Sequence, residues 1–259
     1  MSRHRFYIPP GRWSAQHPVL EAGEAHHCAE VLRLGPGARV EVFNGQGTEI
    51  TCEIVEASGG RVSLKPLLTS RSPGLRCAIT LAQAIPKGKN MELIIQKATE
   101  LGVARIVPLL SDRTVVQLAE PEGQKRSEKW RQLVIEAAKQ CGQNWIPDVS
   151  APLTPKQFFT DFDRYEAPLI ASLQQDARSF RGVLRDFREQ HGRRPVSALI
   201  LIGPEGDFTP AEAAAAKGAG CVPVSLGPIV LRTETAAIYS LSVLAYELQG
   251  ESSELLQTG

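Results

Sequence analysis

Apolar and polar positions change rhythm once along this 259-residue chain, near residue 70. Before that point the short period dominates. Arg5 to Ile8 predicts a first strand, stopped by Pro9-Pro10-Gly11. Glu24 to Leu34 has helical spacing, with Ala25, Cys28, Val31 and Leu32 on one side, and Gly35-Pro36-Gly37 ends it. Residues 39–43, 49–55 and 61–67 then alternate apolar and polar, the period of half-buried strands. Asn44-Gly45-Gln46-Gly47 and Ser58-Gly59-Gly60 supply the turns, because Asn and Gly tolerate positive φ. The pattern predicts a compact antiparallel barrel carrying one helix.

Thr69 to Gly74 is polar and turn-rich, and the domain boundary is expected there, with residues 1–72 in one domain and 73–259 in the next. Beyond it, short apolar runs alternate with helical spacing. Strands are expected at Cys77–Ala84, Ala104–Leu110, Leu169–Leu173, Ala198–Ile202 and Cys221–Leu226. Helices are expected at Asn90–Leu101, Ser127–Cys141, Phe180–Arg188, after Thr209 and at Thr233–Leu248; residues 112–126 read as a loop. That alternation implies an α/β domain with a mainly parallel sheet covered on both faces. The last helix is apolar on two sides: Ile238, Leu241, Leu244, Ala245 and Leu248 on one, Tyr239, Val243 and Tyr246 on the other. Its second side requires either a central position or another subunit.

Composition narrows the class. The chain is 42% hydrophobic and 22% charged with net charge +1, ordinary for a globular protein. The charge is uneven: residues 76–145 hold 11 Lys/Arg against 7 Asp/Glu, and residues 146–259 hold 10 against 14. Five scattered cysteines without a C-x-x-C pair disfavour a disulfide framework and suit a reducing cytoplasm. No apolar run approaches a membrane span, and the N-terminus lacks a signal-peptide core. His26 and His27 are adjacent, so they point to different helix faces and cannot chelate together; no metal is expected.

Candidate chemistry concentrates between Val196 and Leu248. The strands 198–202 and 221–226 each end in a Gly-Pro loop, Gly203-Pro204-Glu205-Gly206 and Gly227-Pro228, and each loop leads into a helix. Ligands bind where strand ends meet helix starts in open α/β sheets. The loops match neither G-x-x-x-x-G-K-[ST] nor G-x-G-x-x-G. Thr209, Pro210 and Glu212 form a capping-box pattern. Thr233 or Thr235 can cap the last helix, and Glu234 complements its positive end, a structural role sufficient in itself. Arg232 can face an anion or a neighbouring acid. No Ser or Cys sits in a nucleophile-elbow context.

Leu201-Ile202-Gly203-Pro204-Glu205-Gly206 with Leu226-Gly227-Pro228-Ile229-Val230-Leu231-Arg232-Thr233-Glu234-Thr235-Ala236 resembles the paired signature of the SPOUT (trefoil-knotted) RNA methyltransferases. Within them it is most similar to the 16S ribosomal RNA uridine-N3 methyltransferases of the RsmE type. Val31–Gly37, Ile95–Val103 and Glu136–Gly142 match the same pattern, so the likeness covers nearly the whole chain. Asp207 departs from it, since Gly is expected there as often, and the resemblance implies that its charge lies near the methyl donor's amino acid moiety.

The resemblance implies a small N-terminal PUA-like β-barrel that binds RNA and a C-terminal knotted α/β methyltransferase domain, assembled as a cytoplasmic homodimer on 16S ribosomal RNA or the small ribosomal subunit. It implies S-adenosylmethionine bound by Leu173, Ile202, Gly203, Pro204, Gly206, Leu226, Gly227, Val230 and Leu231. Arg232 and Glu234 are the expected catalytic pair, Glu234 assisting loss of the N3 proton or orienting the base, and Arg232 stabilising charge on the uracil oxygens. Arg5 and Arg33 in the barrel, with Lys87, Lys89 and Arg113 at strand ends, are the expected RNA contacts. A non-catalytic dimeric RNA-binding protein of the same fold is the alternative; the intact Gly203, Gly206, Gly227 and Arg232 argue against it. An enzyme acting on a small phosphorylated metabolite would need the phosphate-loop Lys or Ser/Thr that is missing here.

Overall fold

The computed structural model describes residues 4–114, 120–160, 162 and 165–250. The chain forms two compact units, Met1–Gly74 with Ile135–Ile146, and Leu75–Val134 with Pro147–Gly259.

The first unit holds strand β1 (Arg5–Tyr7), strand β2 (Val19–Glu21), helix α1 (Ala22–His26) running into a π-helical turn (His27–Val31), and strands β3 (Arg39–Phe43), β4 (Thr48–Ser58) and β5 (Arg61–Arg71). They form one sheet in the order β1-β3-β4-β5-β2. The expected all-antiparallel arrangement is corrected at one edge: β1 lies parallel to β3. The intervening β2 and α1 give the long connection that a parallel pair requires. Strand β2 escaped notice because three residues are too few to display a period.

The π turn also alters the expected helix face. Leu32 N–H bonds to the His27 carbonyl at 2.9 Å, five residues back, which inserts one residue into the helical phase. Val31 is thereby carried out to 60% exposure instead of joining Ala25 and Cys28 in the core. The core is built on Phe6, Leu20, Val40, Val42, Ile50 and Ile54, each at most 1% exposed.

The segment 135–146, expected with the second domain, belongs to this first unit. Trp145 Nε1 donates to the Ser72 carbonyl at 3.1 Å, and Ile146 N–H bonds the Gly45 carbonyl at 3.0 Å. Lys139 Nζ donates to Glu24 at 3.0 Å, yet burial still holds the Glu24 carboxyl above its ordinary pKa. Such contacts over large sequence separation cannot be read from local periodicity.

The second unit contains strand β6 (Ala78–Ala84), helix α2 (Asn90–Glu100), strand β7 (Arg105–Leu109), helix α3 (Glu120–Cys141, its end in the first unit), strand β8 (Asp148–Val149) and helix α4 (Pro155–Thr160). Then follow strand β9 (Ala167–Ala171), strand β10 (Arg178–Ser179), helix α5 (Phe180–His191), strand β11 (Ser197–Ile202), helix α6 (Pro210–Gly218), strand β12 (Val222–Ser225) and helix α7 (Thr233–Gln249). All seven strands run parallel in the order β10-β12-β9-β11-β6-β7-β8. Strands β7 and β8 lie to one side of β6 and the later ones to the other. Such a reversal of strand order opens a crevice at the carboxyl ends of the central strands. Strand β11 is central and, after Ser197, apolar, Ala198 to Ile202 being at most 1% exposed, as a strand covered on both faces must be.

Helix α3 begins earlier than expected. Ser127, taken as its start, lies inside it and donates its hydroxyl to the Gly123 carbonyl at 3.0 Å. Helix α7 buries Ala237, Leu241, Leu244 and Leu248, while Tyr239 and Tyr246 stand 44% and 80% exposed. Its expected second apolar side is thus open to solvent in the single chain. No helix among the described residues is long and apolar enough to cross a membrane.

Candidate functional site

Three strand ends of the second unit converge on one cavity of about 290 Å³. Strand β9 contributes Ala171 and continues into Ser172 and Leu173. Strand β11 ends at Ile202 and gives Gly203, Pro204, Glu205 and Asp207. The segment after β12 gives Leu226, Gly227 and Ile229 to Arg232, and the first turn of α7 closes the site with Thr233 and Ala236.

The local conformation of each loop follows from its residues. At Gly203 a Cβ would meet Asp207 Oδ1 at 3.1 Å, Phe208 N at 3.2 Å and the Phe208 ring at 3.3 Å, so a larger residue would have to push this turn back slightly. Gly227 has φ +119°, a backbone region closed in practice to other residues. Asp207 has φ +60°, the conformation that makes glycine an equally good occupant. It is tolerated because Asp207 Oδ1 accepts the Phe208 N–H at 2.7 Å. The capping box forms as its pattern indicates, with Thr209 Oγ1 accepting from Glu212 N–H and Glu212 Oε2 accepting from Thr209 N–H at 2.8 Å. Glu212 does more than cap. It also accepts from Ser111 Oγ at 3.1 Å and Asp112 N–H at 2.9 Å, tying the loop after β7 to α6.

A chain of hydrogen bonds underlies the cavity. Gln83, at the end of β6 and fully buried, donates Nε2 to the Ala84 carbonyl at 2.8 Å and to Thr233 Oγ1 at 3.0 Å. Thr233 Oγ1 donates to the Gly203 carbonyl at 2.7 Å. The orientation is determined by chemistry: a carbonyl only accepts, so the amide nitrogen must face Ala84 and the threonine proton must face Gly203. Thus β6, the loop after β11 and the start of α7 share one latch. This corrects the expected caps of α7. The N-cap is Arg232, without a side-chain bond, and the Thr233 hydroxyl is engaged across the sheet instead. Gln83 was missed because a lone Gln in an apolar strand carries no motif.

Of the expected cofactor-binding residues, Leu173, Ile202, Gly203, Pro204, Leu226, Gly227, Val230 and Leu231 line the cavity. Gly206 does not; its carbonyl accepts from Arg113 Nη1. Arg232 lines the cavity and is exposed, whereas Glu234 is outside the lining, half-buried in the first turn of α7. Ser172, Glu205, Asp207 and Thr233 are polar lining residues beyond the expected set.

The five expected RNA contacts divide. Lys87 and Lys89 are exposed; the Lys87 backbone N–H bonds Glu205 Oε1 at 3.0 Å and Arg113 donates to the Gly206 carbonyl, so Lys87 and Arg113 adjoin the 203–207 loop. Arg33 is exposed in the first unit with φ +53°. Arg5 is a correction: its side chain is only 8% exposed, donates to Asn144 Oδ1 and Glu49 Oε2, and lies 4.6 Å over the Phe43 ring. A guanidinium so engaged holds the first unit together and presents no charge to an RNA.

Comparison with known proteins agrees with this layout. Residues 73–245 match the family described as the RNA methyltransferase domain, and residues 20–67 the RNA methyltransferase PUA domain. The chain is 33% identical over 234 residues to the ribosomal RNA small subunit methyltransferase E of Bacillus subtilis, covering 87% of this chain and 88% of that protein. A Legionella pneumophila protein solved with the bound cofactor SAM superposes with a TM-score of 0.83 at 34% identity, over 94% of this chain and 97% of that one. The Neisseria gonorrhoeae ribosomal RNA small subunit methyltransferase E, solved bound to S-adenosyl methionine, superposes at 0.81 with 30% identity and the same coverage. A family match over more than half the chain and a relative this similar along most of both sequences lead to one conclusion: the chain belongs to the RNA methyltransferase family of ribosomal RNA small subunit methyltransferase E.

Proposed function

We propose that this protein transfers a methyl group from S-adenosylmethionine to N3 of a uridine in 16S ribosomal RNA, acting as a cytoplasmic homodimer with a trefoil-knotted catalytic domain. The observation that carries the reading is the cavity formed by the three strand-end loops, with an apolar wall and Arg232 on its lining.

The residues present suit the methyl donor. Ile202, Leu226, Val230 and Leu231 form an apolar wall for a flat heterocycle, and the glycines at 203 and 227 let that ligand approach the backbone closely. When bound, S-adenosylmethionine supplies an electrophilic methyl group on a sulfonium sulfur. What the chain adds is position: the Gln83–Thr233–Gly203 latch holds the loop against the cavity in one geometry. The target base must leave its stack, because N3 lies on its pairing edge. Arg232 reaches the cavity with a charge that stabilises negative charge developing on the uracil oxygens as the N3 proton departs. Glu234, placed just outside the lining, orients Arg232's turn through the helix start or takes the proton once the base is seated. Homodimer formation is supported by the exposed Tyr239 and Tyr246 on α7.

The test is nucleoside mass spectrometry of ribosomal RNA from cells with and without the gene, joined to calorimetry with S-adenosylmethionine. Loss of one 3-methyluridine on deletion, with stoichiometric donor binding by the purified protein, is the expected result. Donor binding with no missing nucleoside would refute the substrate assignment. RNA binding without donor binding would favour the non-catalytic alternative.

A further inference from the structure

Six of the ten Lys/Arg residues in the last third of the chain lie between positions 178 and 194, although that third is net negative. Three of them, Arg181, Arg185 and Arg188, recur at helical spacing on α5. With Arg194 they border a second cavity of about 230 Å³ in the second unit, whose floor includes Leu184 and Leu248. Arg185 is neutralised by Asp186 at 2.9 Å and Glu189 at 3.6 Å. Arg181 and Arg188 are exposed and have no acidic partner among the described residues. Arg194 is half-buried and positioned by donating Nη1 to the Gly250 carbonyl at 2.9 Å. Glu247 also lines the groove, making no ion pair among the described residues. Three uncompensated guanidinium groups thus face one carboxylate. Arg181 and Arg188 stand two turns apart on α5 and make no ion pair among the described residues, so their charges add nothing evident to the fold.

We propose that this groove is a phosphate-binding site for the backbone of the RNA substrate, remote from the methylated base; the inference rests on the RNA-directed function proposed above. Guanidinium forks match phosphate oxygens in pairs, and a row of them tracks a polyanion. A membrane surface does not fit, because the apolar side of α5, with Phe180, Val183 and Leu184, is already buried. The groove lies at the opposite end of the sheet from the methyl-donor cavity. Pro195 in the groove precedes β11, and Gly203 in the cavity follows it, so the six-residue strand separates them by roughly 20 Å at about 3.3 Å per residue. Helix α7 gives the same ruler, running from Thr233 in the cavity to Leu248 in the groove at about 1.5 Å per residue. A contact at that distance binds flanking RNA and does not touch the reacting base.

The experiment compares the full-length protein with Arg181→Gln/Arg188→Gln in RNA binding across a salt series, in S-adenosylmethionine binding, and in steady-state methylation of 16S ribosomal RNA. The expected result is a rise of several-fold in Kd for long RNA near 0.1 M salt and a slope of log K against log salt reduced by about 1.4, from about 0.7 per lost single-strand phosphate contact. The loss falls in KM for RNA rather than kcat, and donor affinity is retained. A fragment confined to the nucleotides around the uridine, too short to reach the groove, binds both proteins alike. Arg181→Lys/Arg188→Lys restores the salt slope. An unchanged slope, an equal loss on the short fragment, or a parallel loss of donor binding would overturn the proposal while leaving the methyltransferase reading intact. Failure of the wild-type protein to bind or methylate ribosomal RNA would overturn both.

Discussion

The latch beneath the cavity permits a sharp test. Thr233→Val keeps the shape of the side chain but removes the hydroxyl that accepts from Gln83 and donates to the Gly203 carbonyl. Gln83 is 0% and Thr233 5% exposed, so the amide loses its partner in dry surroundings, while the Gly203 carbonyl is half-buried at the edge of the cavity. A buried polar group left without a partner costs about 1–3 kcal/mol. Gln83 keeps its bond to Ala84, so the two losses together come to about 2–4 kcal/mol. Part of that appears as lower global stability and part as loosening of the 203–207 loop. If half is expressed in the loop, S-adenosylmethionine binding weakens about five- to thirtyfold, at about 1.4 kcal/mol per tenfold. The assay is urea unfolding together with calorimetric titration of the donor. Thr233→Ser, which retains the hydroxyl, restores both properties. Gln83→Leu/Thr233→Val loses less than the sum of the single changes, because removing both partners strands fewer groups. A Thr233→Val protein with wild-type stability and donor affinity would refute the latch as the element that positions the loop.

Four further outcomes are expected. Arg232→Ala lowers the single-turnover methylation rate by about 10²–10³-fold with donor affinity little changed, whereas Glu234→Gln has a smaller effect if its part is confined to the helix start; equal losses would place both on the substrate. Gly227→Ala meets no atom within 4 Å but must adopt φ +119°, so thermal denaturation should show a loss of about 1–3 kcal/mol and calorimetry a weaker donor. Thiol titration at pH 8 should find one fast-reacting cysteine, the exposed Cys141, because burial pushes Cys52, Cys77 and Cys221 up to about 12 and raises Cys28 as well. Hydrogen bonds from Arg193 and Val196 N–H lower the Glu166 pKa to about 2 from 4.5. Because the folded carboxyl titrates below the unfolded one, its stabilising effect is complete above about pH 4.5 and fades as pH falls toward 2, and Glu166→Gln should remove that part of the pH dependence of the urea midpoint.

Local sequence was most informative where local forces dominate. The alternation in β3, β4 and β5, the helical faces of α2 and α7, and the capping box at Thr209 are short-range consequences of side-chain period and turn chemistry, and the structure contains each of them. The two Gly-Pro loops marked the cavity correctly because a strand end with glycine is where backbone can approach a ligand. Four features needed the folded chain. The parallel pairing of β1, the π turn that expels Val31, the placement of 135–146 with the first unit and the burial of Arg5 depend on partners between 5 and 139 residues away. The Gln83–Thr233–Gly203 latch spans 150 residues, and no periodicity links a buried glutamine to a threonine at that separation. The sequence by itself determined most of the longer strands and helices and the turns between them, since period and turn residues act within a few positions, but not the two- and three-residue strands. Tertiary structure alone decided which polar side chains are withdrawn from solvent to hold the fold and which arginines, such as Arg5, are engaged within it, because burial and pairing are properties of neighbours in space.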